Sequence, residues 1–393
     1  MPDTPRSIDA ARAEILAAVR PLAPEQVAVE RALGRVLARD VTAAHDVPPF
    51  AGSAMDGFAL RAAPAGARLR LIGEARAGAP FDGEVGEGEA VRISTGAALP
   101  PGAEGVLQLE LVQDEGAVIA LEEAVEPGRN VREAGEDLRS GETVLRAGRR
   151  LGPAELGVAV HAGVARLSCA PRPRLAVLAT GDELVPPGAP LGPGQIHDSN
   201  LVTLAALAER EGCDVVLARH VPDDPAATRV AIEDALGAAD VVVLSGGVSV
   251  GPHDHVKPAL AALGVRERFW RVALRPGRPT WFGTAGERLV FGLPGNPVSA
   301  MVTFFLFVRP ALGALQRLAD EDAPERVALG EPLPRNARRD ECVRVRIEEG
   351  LAYATGPQGS HVLRSMALAD ALVVVPRGAG ELPAGTSVER IAL

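Results

Sequence analysis

The chain has 393 residues, which is too long for a single hydrophobic core and predicts several domains. Its net charge of −10 and aromatic content of 3% argue against a nonspecific nucleic-acid binder, because such proteins need basic and stacking side chains. The first residues lack a secretory-signal pattern, and no uninterrupted apolar run reaches the roughly 18 residues of a membrane span. Three scattered cysteines suit a reducing compartment, so we expect a soluble, cytoplasmic protein without nucleic-acid or membrane partners.

Residues 1–172 combine helical and extended patterns. Ser7 can cap a helix whose apolar residues, from Ile8 to Val19, recur at helical spacing. A similar stripe over residues 27–37 predicts a second short helix. Residues 41–127 then show short apolar runs between Gly, Pro and Asp, the pattern of a small β-rich domain. A helix over residues 154–162 and a proline-rich linker at 171–174 complete this half of the chain.

Residues 175–318 alternate between strand and helix patterns, which predicts a doubly wound, mostly parallel sheet with helices on both faces. The predicted strands cover residues 175–179, 215–217, 241–244, 270–274 and 289–291. The predicted helices run from Ser199 or Asn200 to Glu211, from the Asp224 cap to about Ala238, from about Val256, and from Val298 to Leu315. From about residue 324 the β pattern returns, so the fold class is α/β plus β-rich domains.

These changes of pattern predict four domains. They are residues 1–42 with 128–172 as a helical and linker domain, 43–127 as an inserted β-rich domain, 173–322 as an α/β domain, and 323–393 as a C-terminal β domain.

Polar loops follow three predicted strands of the α/β domain. They contain Thr180 to Glu183, then Ser245 with Gly246 and Gly247, and then Pro294 with Asn296. Ligands of such sheets lie beyond the carboxyl ends of the strands, so these loops predict one binding rim. The middle loop continues through Ser249 and Gly251 with almost no side-chain bulk, which lets backbone N–H groups close around an anion.

Carboxylates crowd the same predicted rim at Glu183, Asp198, Asp223, Asp224 and Asp254. Their mutual repulsion requires a proton, a basic partner or a metal, and oxygen ligands favour Mg²⁺. His253 and His255 could instead hold a transition metal, but side chains two residues apart point away from each other in an extended chain. Arg275 and Arg278 can each present a planar fork to a phosphate.

Several familiar sites are absent from the sequence. It contains no GxxxxGK[ST] phosphate loop and no GxGxxG fingerprint.

The ordered set of motifs resembles the MoeA family of molybdopterin molybdenumtransferases, to which the C-terminal region of gephyrin is also similar. The resemblance covers nearly the whole chain and rests on the following residues: Pro48-Pro49-Phe50, Ser53-Ala54-Met55-Asp56-Gly57, Arg92 with Thr95-Gly96-Ala97, Gly135-Glu136-Asp137, Thr180-Gly181-Asp182-Glu183-Leu184, Asp198-Ser199-Asn200, Pro222-Asp223-Asp224-Pro225, Ser245-Gly246-Gly247-Val248-Ser249-Val250-Gly251 and Pro294-Gly295-Asn296-Pro297.

The resemblance implies an elongated, multi-domain homodimer that performs the last step of molybdenum cofactor synthesis. Adenylylated molybdopterin and molybdate would bind, Mg²⁺ would assist cleavage of the phosphoanhydride, AMP would leave, and molybdenum would enter the dithiolene. Other partners implied are the molybdopterin adenylyltransferase and the enzymes that accept the cofactor.

The resemblance also implies roles for individual residues. Asp56 and Asp137, from the partner subunit, would act with Glu183, Asp224 and Asp254 in catalysis, and Glu183, Asp223 or Asp224, and Asp254 would serve the metal. The implied substrate-binding residues are Thr95, Thr180, Asp198, Ser199, Ser245, Gly246, Gly247, Ser249, Lys257, Arg275, Arg278, Pro294 and Asn296.

Two departures from the family pattern qualify these assignments. Ala51 and Gly52 stand where the family commonly has Asp and Asn, so no polar side chains at these positions reach a substrate. Arg275 and Arg278 replace lysines and keep the charge. Two alternatives stay open: a molybdopterin adenylyltransferase, whose family usually reads Ser-Gly-Gly-Thr-Gly after the strand, and a noncatalytic molybdopterin-binding scaffold.

Overall fold

The computed structural model describes residues 4–248, 254–319 and 325–393. Helix α1 (Ile8–Ala18) begins as predicted, with Ser7 Oγ accepting the Ala10 N–H at 3.1 Å. Its apolar face, with Ile8 and Ile15, packs into the core of the central α/β unit. The predicted division places residues 1–42 in the helical domain, whereas α1 packs against the central unit.

The predicted helix over residues 27–37 is wrong. The chain instead forms strand β1 (Glu25–Ala28) and a single 3₁₀ turn at Val29–Arg31. Strand β1 pairs antiparallel with Arg166–Cys169, a partner more than 130 residues away that no local periodicity reveals. Leu33, expected in the apolar stripe, is 54% exposed.

The next segment forms the predicted β-rich unit. Its six-stranded sheet has the order β7-β4-β6-β5-β9-β8, and alternate residues such as Phe58 and Ala59 enter two cores on opposite faces. The strands are β2 (Val41–Thr42), β3 (Gly52–Ser53), β4 (Gly57–Leu60), β5 (Arg68–Ala75), β6 (Glu89–Ile93), β7 (Gly105–Gln108), β8 (Val112–Asp114), β9 (Val118–Leu121) and β10 (Val131–Arg132).

A small helical unit flanks this sheet. Strand β11 (Thr143–Leu145) pairs with β2, helix α2 (Pro153–His161) matches its predicted position, and β12 (Arg166–Cys169) pairs with β1. Ala159 of α2 and Cys169 of β12 lie in the core of this unit.

The central unit is the predicted doubly wound α/β fold. Its sheet has the order β16-β13-β17-β21-β20-β18, of which the first four strands are parallel and the last two form an antiparallel edge. Its elements are β13 (Arg174–Thr180), β14 (Leu184–Val185), β15 (Ile196–His197), α3 (Ser199–Arg210), β16 (Asp214–Val221), α4 (Pro225–Ala238), β17 (Val241–Ser245), α5 (Val256–Ala262), β18 (Arg266–Trp270), β19 (Leu274–Arg275), β20 (Trp281–Ala285), β21 (Arg288–Leu293), α6 (Pro297–Thr303) and α7 (Arg309–Leu315).

Strand β17 is buried on both faces. Val241 and Val243 enter one core with α1, α3 and α6, whereas Val242 and Leu244 enter the other core with α4 and α5. This two-sided burial is the reason its sequence is continuously apolar rather than alternating.

Two predicted helix features need correction. Asp198 caps α3 by accepting the Leu201 N–H at 3.0 Å, so neither Ser199 nor Asn200 is the cap. The predicted continuous last helix contains a π-helical segment at Phe304–Val308. The stretch Pro297–Leu315 is long and apolar enough to cross a membrane, yet 72% of it is buried in the protein, as in a core helix.

The C-terminal unit is the predicted β domain. Its sheet, of order β19-β24-β25-β22-β28-β26, takes one strand from the central unit, since Leu274 of β19 pairs with Asp340. Its elements are β22 (Arg326–Leu329), β23 (Leu333–Pro334), β24 (Asp340–Glu348), β25 (Leu351–Ala354), α8 (Leu363–Ala367), β26 (Ala371–Val375), β27 (Glu381–Leu382) and β28 (Ser387–Ala392).

Candidate functional site

The three polar loops at residues 180–183, 245–247 and 294–297 meet at one edge of the central sheet, here called the rim. They follow the adjacent parallel strands β13, β17 and β21, whose carboxyl ends lie side by side. Asn200 ties two of the loops together, because its amide donates to Ser245 Oγ and to the Gly295 carbonyl oxygen, both at 2.8 Å. Ser245 Oγ in turn lies 3.5 Å from the Pro294 carbonyl oxygen.

Gly246 permits the closest approach between rim loops. Its φ is +89°, and a Cβ at this position would lie 2.8 Å from the Thr180 carbonyl oxygen. Its N–H donates to the Leu293 carbonyl oxygen at 3.1 Å. A side chain here would both strain the backbone and push the first loop away, so the rim requires glycine.

Buried polar atoms at the rim have no hydrogen-bond partner among the residues the structure describes. They are Thr180 Oγ1, Asp198 Oδ2 and Asn200 Oδ1, on side chains that are at most 8% exposed. Such atoms are costly to bury unsatisfied, and in native proteins they commonly mark a place where a ligand or water binds. Their clustering indicates that the rim is prepared for a polar ligand.

The carboxylates beside the rim are largely engaged with the backbone. Asp182 and Asp223 bond reciprocally, each side chain accepting the other's N–H, at 3.4 Å and 3.0 Å. Asp224 Oδ1 caps α4 by accepting the Ala227 N–H at 2.7 Å. Glu183 is exposed, and its side chain packs over Gly181.

No three His, Cys, Asp or Glu side chains in the described ranges form a group that could hold a metal ion. Four predicted metal ligands, Glu183, Asp223, Asp224 and Asp254, therefore do not build an all-protein cage there. Mg²⁺ commonly binds through one or two carboxylates together with substrate phosphates and water, and the oxygen donors beside the rim fit that kind of site.

The glycine-rich loop leaves the rim beside a tryptophan. The Trp270 indole N–H donates to the Val248 carbonyl oxygen at 3.0 Å, while Lys257 Nζ and the Arg271 guanidinium lie 3.0 Å and 3.8 Å from the ring centre. Ser249, predicted to bind substrate, and His253 lie outside the described residues. Asp254 is partly buried immediately before α5.

The two predicted phosphate-binding arginines differ in their surroundings. Arg275 forms an ion pair with Glu341 of β24 at 2.7 Å and so links the central and C-terminal units. Arg278 is exposed and has neither an ion pair nor a side-chain hydrogen bond within the described part of the chain. In the third rim loop, at residues 294–297, Asn296 is exposed and precedes α6.

A second group of predicted residues lies elsewhere, along a cavity of ≈ 910 Å³ between the β-rich and helical units, here called the cleft. It is lined by His45, Val47, Pro48, Pro49, Phe50, Gly52, Ser53, Gly96, Arg132, Glu136, Asp137, Val160 and His161. Strands β3 and β10 pair across its floor, and the Asp137 N–H donates to the Val47 carbonyl oxygen at 3.0 Å.

Asp56 lies beside this cleft and is fixed by a neighbouring loop. Its Oδ1 accepts the Thr95 N–H at 2.7 Å and the Thr95 hydroxyl at 3.1 Å. Gly96, the next residue, lines the cleft and donates its N–H to the Ser53 carbonyl oxygen. The predicted pair Asp56 and Thr95 is thus in direct contact.

Sequence reasoning missed Asn200 and His161 as site residues. Asn200 was considered as a possible helix cap and as part of the Asp198-Ser199-Asn200 motif, but not as a binding residue. His161 contacts Asp137, with Nε2 and Oδ2 at 3.2 Å, across 24 residues of chain. No local pattern indicated that contact.

Family models match the chain along most of its length. The MoeA N-terminal region (domain I and II) matches residues 6–163, a probable molybdopterin binding domain matches 176–314, and the MoeA C-terminal region (domain IV) matches 326–393. The fold and rim therefore define a multi-domain protein built around a molybdopterin-binding type of α/β domain.

Relatives of known name and a solved structure are similar to the chain along nearly its whole length. The chain is 35% identical to a molybdopterin molybdenumtransferase of Haemophilus influenzae over 97% of each chain, and 36% identical to molybdopterin molybdenumtransferase 2 of Mycobacterium tuberculosis over 96% of each. The crystal structure of the MoeA protein from Pyrococcus horikoshii superposes with a TM-score of 0.85 at 31% identity over 99% of both chains. The chain belongs to the MoeA family, which confirms the predicted family and enzyme class.

Proposed function

We propose that this protein inserts molybdenum from molybdate into adenylylated molybdopterin and releases AMP, the last step of molybdenum cofactor synthesis. The names of its relatives support the molybdenum transfer. The observation that carries the proposal is the rim, where Thr180, Asp198 and Asn200 present buried polar atoms that have no partner among the described residues. A pterin, with donors and acceptors on its ring, and its phosphate suit such a surface.

The residues of the rim would act mainly by positioning. Asn200 holds the loops of Ser245 and Gly295 at a fixed separation, which would keep the glycine-rich loop in place around a bound phosphate. Arg278 would offer a guanidinium to the adenylyl phosphate. Both effects reduce the reorganisation needed when AMP leaves.

Magnesium is part of this proposal as a partner of the substrate. When bound, Mg²⁺ would offset negative charge on the phosphates, which an acidic chain otherwise repels. Among the predicted ligands, Glu183 is exposed, while Asp223 and Asp224 each accept one backbone N–H. We therefore expect Glu183, Asp254 and the remaining oxygen of Asp223 or Asp224 to be available to the ion.

A homodimer would bring the cleft to the rim. Asp56 and Asp137 lie in or beside the cleft of the N-terminal units, whereas Thr180 and Ser245 lie on the central unit. We propose that the cleft of one copy completes the rim of the other, and that molybdate binds where the two meet. The three cysteines described as free and buried support the expected cytoplasmic, reducing location.

The direct test is to incubate the purified protein with adenylylated molybdopterin, molybdate and Mg²⁺ and to measure AMP. We expect AMP release that depends on molybdate, whereas an adenylyltransferase would consume ATP and molybdopterin, and a scaffold would do neither. Asp254→Ala should fold normally and lose AMP release. Asp234→Ala is the matched control, because Asp234 of α4 forms an exposed ion pair with Arg219 of β16. Unchanged turnover of Asp254→Ala would reject its proposed role.

Mixed dimers test the shared site. Asp56→Ala and Asp254→Ala chains should each be inactive, and activity should return when they are mixed under conditions that exchange subunits. Failure of complementation in dimers shown by mass spectrometry to be mixed would count against a site shared between copies.

A further inference from the structure

One wall of the cleft carries a contact between Asp137 and His161 that the proposed reaction does not yet use. Asp137 follows β10, and His161 is the last residue of α2. Both are held by the same short segment, because the Val47 carbonyl accepts the Asp137 N–H at 3.0 Å and the Ala44 N–H donates to the Ala162 carbonyl oxygen at 2.8 Å. The separation of the two side chains is thus set by the backbone.

Stability does not explain this pair. Its side chains are 56% and 65% exposed, and exposed ion pairs contribute about 0–1 kcal/mol. The contact therefore contributes little to the stability of the fold, and its effect is on the arrangement of side chains in the cleft.

Other charged groups face the same cavity without competing for the contact. Arg132, Glu136 and His45 also line the cleft. His45 Nδ1 is within 2.9 Å of the Asp46 carbonyl oxygen, and the Asp46 carboxylate accepts the Ser140 N–H at 2.8 Å. His161 is thus the imidazole in contact with Asp137.

The contact uses one carboxylate oxygen. The imidazole Nε2 lies 3.2 Å from Asp137 Oδ2, while Oδ1 has no protein partner among the residues described. A carboxylate held by one oxygen keeps its other oxygen in a defined direction.

We propose that His161 is a positioning residue for Asp137: the contact of its imidazole with Oδ2 holds the carboxylate so that Oδ1 faces the substrate bound in the cleft. This inference rests on the proposed function, in which Asp137 acts on the reacting complex. Because a misplaced catalytic group affects the reaction more than ground-state binding, the loss should fall on kcat.

The first test compares two substitutions at one position. His161→Leu should lower kcat for AMP release about tenfold or more and leave KM within about twofold. His161→Gln keeps an N–H donor and should restore most of kcat. Arg149→Gln is the control, since it removes an exposed ion pair to Glu155 at the other end of α2, at 2.8 Å between Nε and Oε1, and should change neither constant.

The second test is a double-mutant cycle. If His161 acts only through Asp137, then His161→Leu should cause no further loss in an Asp137→Asn background. Multiplicative losses, or equal activity of His161→Leu and the wild type, would overturn the proposal. A wild-type protein that releases no AMP would refute the proposed function and the role of His161 with it. An active wild type together with a His161→Leu variant of unchanged activity would refute only the role of His161.

Discussion

The rim and the cleft use similar polar residues under different physical constraints. At the rim, Asn200 and Ser245 are buried, and their hydrogen bonds join loops of the central fold. At the cleft, Asp137 and His161 are more than half exposed, and their contact joins loops at the surface. The comparison teaches that stability and function are coupled at the rim, whereas they are separable at the cleft.

The largest effect is expected for Asn200→Leu. The substitution removes the amide and leaves the buried Ser245 Oγ and the exposed Gly295 carbonyl without their donor. We expect the free energy of unfolding to fall by about 1–3 kcal/mol, which is the cost of one buried group that loses its partner. AMP release should be lost as well, as measured on the folded fraction at low temperature.

Gln113→Ala is the control for this variant, since Gln113 bonds Glu122 at an exposed position on β8. Its unfolding transition should stay within about 0.5 kcal/mol of the wild type. An Asn200→Leu protein with unchanged stability would contradict the coupling of stability and function at the rim.

The second effect is expected at the cleft, for Asp56→Ala. Asp56 is exposed and accepts the N–H and hydroxyl of Thr95, so the free energy of unfolding should change by no more than about 1 kcal/mol. AMP release should nevertheless fall about 100-fold, since a catalytic carboxylate is lost. Chemical denaturation and the AMP assay on the same preparation measure both quantities. A stability loss as large as that of Asn200→Leu would remove the distinction between the two regions.

The position of the rim was predictable because it follows from the parallel arrangement of the strands. Buried runs such as Val241–Ser245 identify strands from local sequence, and parallel strands place their carboxyl ends together. The meeting of Thr180, Ser245 and Pro294 follows from that topology alone. The bridging role of Asn200 could not be predicted, because a helix-cap pattern does not indicate the direction of a side-chain amide.

The cleft was not predictable in the same way. Its walls come from β3, β10 and the end of α2, which are brought together by contacts between distant parts of the chain. The strand at Glu25–Ala28 was mistaken for helix for the same reason, since its stabilising partner is β12. Motif resemblance identified Asp56 and Asp137, but only the fold revealed His161 beside Asp137.

The third effect separates two arginines that the sequence treats alike. Arg275 is paired with Glu341, whereas Arg278 has no partner in the ranges described. Arg278→Ala should raise KM for the adenylylated substrate about tenfold, because a hydrogen bond to a charged group contributes about 1.5–3 kcal/mol. Arg275→Ala should leave KM unchanged and lower the free energy of unfolding by at most about 1 kcal/mol. Equal increases in KM would show that both arginines contact the substrate.

The smallest effect concerns the local opening of two hydrophobic cores, one in the central unit and one in the helical unit. The labelling rate of a buried cysteine in each core measures how readily that core opens. Cys213 lies in the large core under the rim, and Cys169 lies with Ala159 of α2 in the smaller core beside the cleft. Burial raises the pKa of Cys213 to about 12, with Glu211 adding to the effect, and burial also raises the pKa of Cys169. At pH 8 the native thiols are therefore protonated, and alkylation requires local opening.

Because the smaller core loses fewer apolar contacts when it opens, iodoacetamide should label Cys169 at least about tenfold faster than Cys213, a difference of about 1.4 kcal/mol in opening free energy. Mass spectrometry of digested samples measures both rates in one reaction, and Cys169→Ala confirms the assignment. The pKa shifts also fix the sign of the pH effect: a thiol pKa raised by folding means that the native state binds the proton more tightly, so stability falls as pH rises from about 9 towards 12. Equal labelling rates would mean that the rim and cleft units open as one, and the separation of stability from function at the cleft would then lack its physical basis.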